Sequence, residues 1–257
     1  MMRNALRTLG LVLVVACSGG SSKVVEKPNT APLKLPPSVS RIGEVFESVK
    51  SEKLNAKQGE TKVEQRKQLR LRSKVLAVTA GEATKISVTY EEHAYSLVID
   101  GVERSARPAL TGKTFFLEAA EGEVRVTKEI GELTEAEKEA VLEDHKSFAK
   151  PSPFLKVISG REWKVDAPVE LDAKEFIEVD NEGGTGKIVF KLLEYNNQHA
   201  RFALKSSVKK DELTIISEGS METDLKDPAY GVAEMNSKIT GTTTGSQEIK
   251  IVTKRAR

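Results

Sequence analysis

From residue 43 onward, apolar and polar positions alternate with a period of two. This is the pattern of strands that bury one face and wet the other. The clearest stretch is 63–78, with Val63, Leu69, Leu71, Val75 and Ala77 on one side and Arg66, Gln68, Arg70, Arg72 and Lys74 on the other. The stretch from Gly43 to Leu54 also fits a helix. A hairpin about Gln58-Gly59-Glu60 would set Glu44, Glu47 and Glu52 beside the arginines, so a strand is expected there. Ile86, Val88 and Tyr90 form one inward row, and Tyr95, Leu97 and Ile99 the next, before an Asp100-Gly101 turn signal. Phe115 and Leu117 pair with Val124 and Val126 across Glu121-Gly122. Further strands are expected at Trp163–Val165, Phe176–Val179, Lys187–Tyr195, Ala200–Leu204, Leu213–Ile215, Tyr230–Thr240 and Glu248–Lys254.

One segment breaks the alternation. Thr134 and Glu137 have the spacing of a capping box, and Ala136, Ala140, Val141, Phe148 and Ala149 supply apolar positions. A main helix near 134–149 follows, with Pro151 and Pro153 as its stop. The expected fold is mainly β (α+β): a large antiparallel curved sheet, barrel or half-barrel, over 43–257. Two halves divided near residue 150 are the alternative.

The first 42 residues are of another kind. Arg3 and Arg7 open the chain, a short apolar run follows from Leu9, and the run ends at Cys17, the one cysteine. The run is too short to span a bilayer, which takes about 20 residues, and has the anatomy of a secretory signal. Val14-Val15-Ala16-Cys17 resembles the lipobox of bacterial lipoproteins. That resemblance implies removal of residues 1–16 and lipidation of Cys17, and Ser18 after the cysteine implies the outer membrane, with the protein facing the periplasm or the surface. Residues 17–42, rich in glycine, serine and proline, read as a flexible tether. Beyond the lipobox, Leu110-Thr111-Gly112-Lys113-Thr114-Phe115 and Glu162-Trp163-Lys164-Val165 resemble segments of uncharacterised β-rich Gram-negative lipoproteins. The architecture is similar to that of the open-barrel lipoprotein carriers of the periplasm.

Charge narrows the function classes. Once residues 1–16 are removed, 38 basic residues balance 38 acidic ones, so no overall field draws nucleic acid. His93, His145 and His199 lack the spacing of a zinc motif and are expected as exposed surface residues, and no metal or other cofactor is expected. Asn181–Lys187 is glycine-rich, but Ile188 stands where a phosphate-binding loop needs serine or threonine. A hairpin turn is expected instead. No serine has the Gly-x-Ser-x-Gly setting of a hydrolase, and no enzymatic chemistry is expected.

Two candidate sites remain. The inward apolar residues Phe115, Leu117, Trp163, Phe190 and Phe202 would line a concave binding face for a lipid, or pack as a dry core. Arg66, Arg70, Arg72 and Lys74 form a stripe for an anionic ligand, or pair with acids across the sheet. The expectation is a lipid-anchored, non-enzymatic envelope protein that binds a lipid or a partner protein on its sheet. The alternative is an envelope-assembly protein that acts by protein contacts without a ligand cavity.

Overall fold

The computed structural model describes residues 31–104, 108–120, 123–148, 153–173 and 185–256. Cys17, the strand expected at Phe176–Val179 and the turn at Glu121-Gly122 lie outside them. A single sheet of 12 strands dominates the chain. In chain order its long members are β2 (Val45–Gln58), β3 (Thr61–Thr79), β4 (Glu82–Ile99), β6 (Thr114–Ala120) and β7 (Glu123–Lys128). After two helices come β9 (Pro168–Asp172), β10 (Thr185–Tyr195), β11 (His199–Lys210), β12 (Leu213–Asp224), β13 (Gly231–Gly241) and β14 (Thr243–Arg255). The order across the sheet is β7-β6-β4-β3-β2-β14-β13-β12-β11-β10-β9, with the short β5 (Val102–Glu103) beside β4. Every pairing in it is antiparallel. β7 and β9 are edges, so the sheet is open and not a closed barrel.

Hairpins account for most of this order, and turn chemistry sets them. Asp100 (φ 52) and Gly101 (φ 80) both take the left-handed conformation that a two-residue hairpin needs. Asp100 Oδ1 also accepts the Lys62 N–H at 2.7 Å. The decisive pairing is not local. β14 lies beside β2, with Val252 opposite Val49, and so joins the last strand to the first long one.

Alternation and register give the sheet two unlike faces. On one face a continuous row runs Tyr95, Lys67, Glu52, Ile249, Met235, Gly219, Leu204, Phe190, Val169, each directly opposite the next. This is the covered face. Helix α1 (Glu135–Asp144) packs on it near β7, over a core that includes Val88, Tyr90, Phe115 and Leu117. Helix α2 (Pro153–Ile158) packs on it at the opposite end, over Trp163, Phe190 and Phe202. The capping box of α1 is present, with Thr134 and Glu137 bonded reciprocally.

Three expectations need correction. The main helix ends at Asp144, with turns to Phe148, and is shorter than 134–149. Pro153 does not stop a helix but begins α2, since the first helical position needs no N–H donor. The tether does not extend to residue 42. Leu33 and Leu35 are buried, β1 (Leu33–Lys34) pairs with β8 (Glu162–Trp163), and the Tyr195 hydroxyl donates to Ala31 O at 2.6 Å. Ser38 then donates to Asp227 at 2.8 Å, and Ser40 N–H to Gly81 O at 2.9 Å. Two leucines on alternate positions contribute enough burial to order a segment otherwise rich in proline and serine.

Two inward glycines allow the central strands to lie this close. A Cβ on Gly219 would stand 2.3 Å from Glu234 O, and one on Gly245 2.2 Å from Asn55 O. Gly245→Val is therefore expected to destabilise the fold by about 1–3 kcal/mol, as overpacking does. The urea midpoint checks this; an unchanged midpoint would show that the strands can separate freely there.

Candidate functional site

Phe115, Leu117, Trp163, Phe190 and Phe202 are fully buried, but not together. The first two belong to the cluster under α1 and the other three to the cluster under α2. Trp163 is wedged edge-on against Phe202 (5.0 Å between centroids) and Phe190 (6.5 Å), and its indole N–H donates to Ile158 O at 3.0 Å. The crevice beside Phe154, Phe190 and Phe202 holds about 20 Å³, room for one water and not for an acyl chain. These residues form a packed interior in two parts.

A groove of about 560 Å³ crosses the five central strands, and it shares Glu234, Met235 and Ile249 with the crevice beneath α2. One tripeptide from each of five neighbouring strands lines it: Ser51–Lys53, Arg66–Gln68, Ala94–Ser96, Glu234–Asn236 and Glu248–Lys250. The middle residue of each tripeptide belongs to the covered row, where Lys67 and Met235 are only 7% exposed. The residues on either side point outward, and nearly all are exposed. Asn236, Glu248, Lys53, Arg66 and Ser96 stand in register on one side of that row, and Glu234, Lys250, Ser51, Gln68 and Ala94 on the other. Five strands at a spacing of about 4.8 Å give the groove a length of about 19 Å.

Ion pairs run across the opposite, open face. They include Lys254–Glu47 at 3.0 Å, Lys85–Glu118 at 2.8 Å, Lys205–Glu218 at 2.7 Å, Lys53–Glu248 at 3.9 Å and Lys250–Glu234. The stripe on β3 is the exception. Arg66, Arg70, Arg72 and Lys74 are all exposed, and only Arg72 reaches an acid, Glu47 at 4.0 Å. Glu52, expected beside the arginines, points to the other face instead. It pairs with Lys50 at 3.0 Å and accepts from the Gln247 amide at 2.9 Å. Burial pushes the Glu52 carboxyl up, but Lys50, Lys67 and Gln247 outweigh it and hold it below the usual carboxylate range.

The histidines depart furthest from expectation. His199 is partly exposed, 3.9 Å from Glu222, but the side chain of His93 is 2% exposed and His145 Nε2 is buried without a hydrogen-bond partner. Both rings stand edge-on to Tyr90, at 5.5 and 6.1 Å between centroids. Asp144, at the end of α1, joins this group. It pairs with buried Lys67, accepts the Tyr90 hydroxyl at 3.1 Å and lies 3.5 Å from His93 Nε2. Burial would raise the Asp144 carboxyl, but the His93 imidazole and the Lys67 charge overcome it and leave the group well below its ordinary value. Burial lowers the His145 imidazole to about 4; Asp144 pulls it up and Lys67 pushes it further down.

Glu137, at the other end of α1, is held to about 2 by hydrogen bonds from Lys113 (2.9 Å), Lys128 (2.8 Å) and the Thr134 backbone. Charges therefore fix α1 to the sheet at both ends. Among the described residues, no group of three acids, histidines or cysteines is placed to hold a metal ion.

No family model matches the chain, and no curated protein is similar to it. Four chains of solved structures are similar. One, from "Lipid-protein interactions in lipovitellin", is 9% identical with a TM-score of 0.42 over 84% of this chain and 26% of that one. The chain thus spans about a quarter of that protein's length. Another, DynF from the dynemicin biosynthesis pathway of Micromonospora chersina, is 8% identical with a TM-score of 0.18 over 93% and 94%. Likenesses this loose assign no role to any residue here.

Proposed function

We propose that the chain is exported, lipidated at Cys17 and held at the outer membrane, where it acts as a non-enzymatic binding protein with the groove across its central strands. The signal and lipobox pattern at residues 1–17 supports the anchoring. The transverse groove carries the binding reading, since it is a formed concavity lined by residues of both charges. The buried ionisable side chains turn to one another beneath the covered face, as a structural lock does.

A photoreactive residue in place of Ser51, which lines the groove, is expected to give a discrete adduct in intact envelopes. The same residue in place of Ser207, exposed on the distant β11, is expected to give none. Equal labelling from the two positions would contradict a groove site. Cys17→Ser is expected to move the protein into the soluble fraction, and unchanged membrane retention would remove the anchor.

A second reading uses the crevice beneath α2. It is lined by Phe154, Met221, Met235, Ile249 and Ile251 and is apolar almost throughout, and methionines repack readily around a ligand. An acyl chain would enter it only if α2 lifted. Lipid recovered with the purified protein in equimolar amount would favour this version.

A further inference from the structure

The open face carries an imbalance on β3 that its own residues do not correct. At several places on this face lysines and acids face each other across neighbouring strands, as Lys205 and Glu218 do at 2.7 Å, whereas Lys57 and Lys62, like the β3 stripe, set base against base. On β3, Arg66, Arg70 and Lys74 make no ion pair among the described residues. Arg70 stands opposite Glu92 in register without bonding it. Arg66 also lies directly opposite Lys53 of β2, and like charges so placed repel unless an anion sits between them. The line from Arg66 to Lys74 is about 26 Å long at strand rise, and Arg66 is among the residues that line the groove.

We propose that this stripe, with Lys53, binds anionic phospholipid headgroups, so that the open face lies on the membrane that anchors the chain. This rests on the anchored binding reading above and names a ligand class for the outward face of the same strands. Charge complementarity alone would equally suit a soluble polyanion; the tether decides for the membrane. Residues 17–30 separate the lipidated cysteine from Ala31, the first described residue. Fourteen residues span at most about 50 Å. The face therefore meets headgroups at a high effective concentration, where weak charge contacts suffice. Each basic residue near an anionic leaflet strengthens attachment about five-fold.

The test uses the mature chain carrying Cys17→Ser, so that no acyl chain contributes. It is sedimented with vesicles of phosphatidylcholine alone or with about one third phosphatidylglycerol. Binding to the anionic vesicles only, weakened by salt, is expected. The Arg66→Ser/Arg70→Ser/Lys74→Ser variant is expected to bind roughly a hundred-fold less well. The control Arg201→Ser/Lys205→Ser, with exposed charges that already have partners on the distant β11, is expected to bind as before. Equal binding to both vesicle types, equal loss in the two variants, or binding of soluble polyphosphate but not of vesicles would each overturn the proposal. A wild-type chain that fractionates with membranes through Cys17 while the vesicle test fails would refute this inference and leave the anchoring reading intact.

Discussion

Asp144→Ala is expected to cost about 3–5 kcal/mol of stability, because it leaves the Lys67 ammonium buried without its main counter-charge. The Asp144 side chain is fully buried, and that of Lys67 is 6% exposed. Water cannot take the place of the lost carboxylate without opening the contact between α1 and β3. Glu52 lies opposite Lys67 in register and softens the loss, which places the cost toward the lower end. The companion variant Lys67→Met/Asp144→Leu removes both charges and is expected to recover most of the stability, since an apolar pair of similar volume avoids the desolvation cost. Urea denaturation of the single and double variants measures this. A loss below about 1 kcal/mol in Asp144→Ala would show that the cluster is wetter than its burial indicates.

The second large effect is on pH dependence. His145 titrates at 6.5 when unfolded and at about 4 in the fold, so between these values the unfolded chain binds the extra proton. Stability is therefore complete above pH 6.5 and falls as the pH drops towards 4. At about 1.4 kcal/mol per pH unit the loss is about 3 kcal/mol. Asp144 and Glu137, both lowered in the fold, add losses of the same sign only in more acid solution, below their ordinary carboxylate values. His145→Leu is expected to flatten the profile between pH 6.5 and 4 while leaving the steeper acid limb in place. Urea midpoints at half-unit pH intervals check it, and an unaltered slope in His145→Leu would assign the loss to other groups.

Most of the sheet was legible because alternation is a local signal. The period-two pattern at 63–78 becomes β3, Asp100-Gly101 becomes a left-handed turn, and the Thr134/Glu137 box begins α1 where expected. The ionic cluster was not legible, although it left one trace. Lys67 falls on the inward parity between Val63 and Leu69, where a strand with one wet face should carry an apolar residue. Its partner Asp144 lies in a highly charged helix and reads as solvated. Only the docking of α1 on β3 and β4 reveals that Asp144, His93 and Tyr90 converge.

The groove was hidden for a similar reason. Its lining takes three residues from each of five strands and depends on β14 lying next to β2, a pairing of residues about 200 positions apart. The five aromatic and aliphatic candidates were correctly read as inward. Alternation tells which side a residue takes but not which cluster it joins, so their division between α1 and α2 had no counterpart in the sequence.

The central claim is that this protein, held at the membrane, works with the open face of β13, β14, β2, β3 and β4. Lysine labelling in intact envelopes, compared with the purified mature chain, tests it most directly. Lys53, Lys74 and Lys250 are expected to lose reactivity in the envelope, while Lys187 and Lys205 on the far strands keep theirs. Uniform labelling of all five, or protection confined to Lys187 and Lys205, would contradict the account.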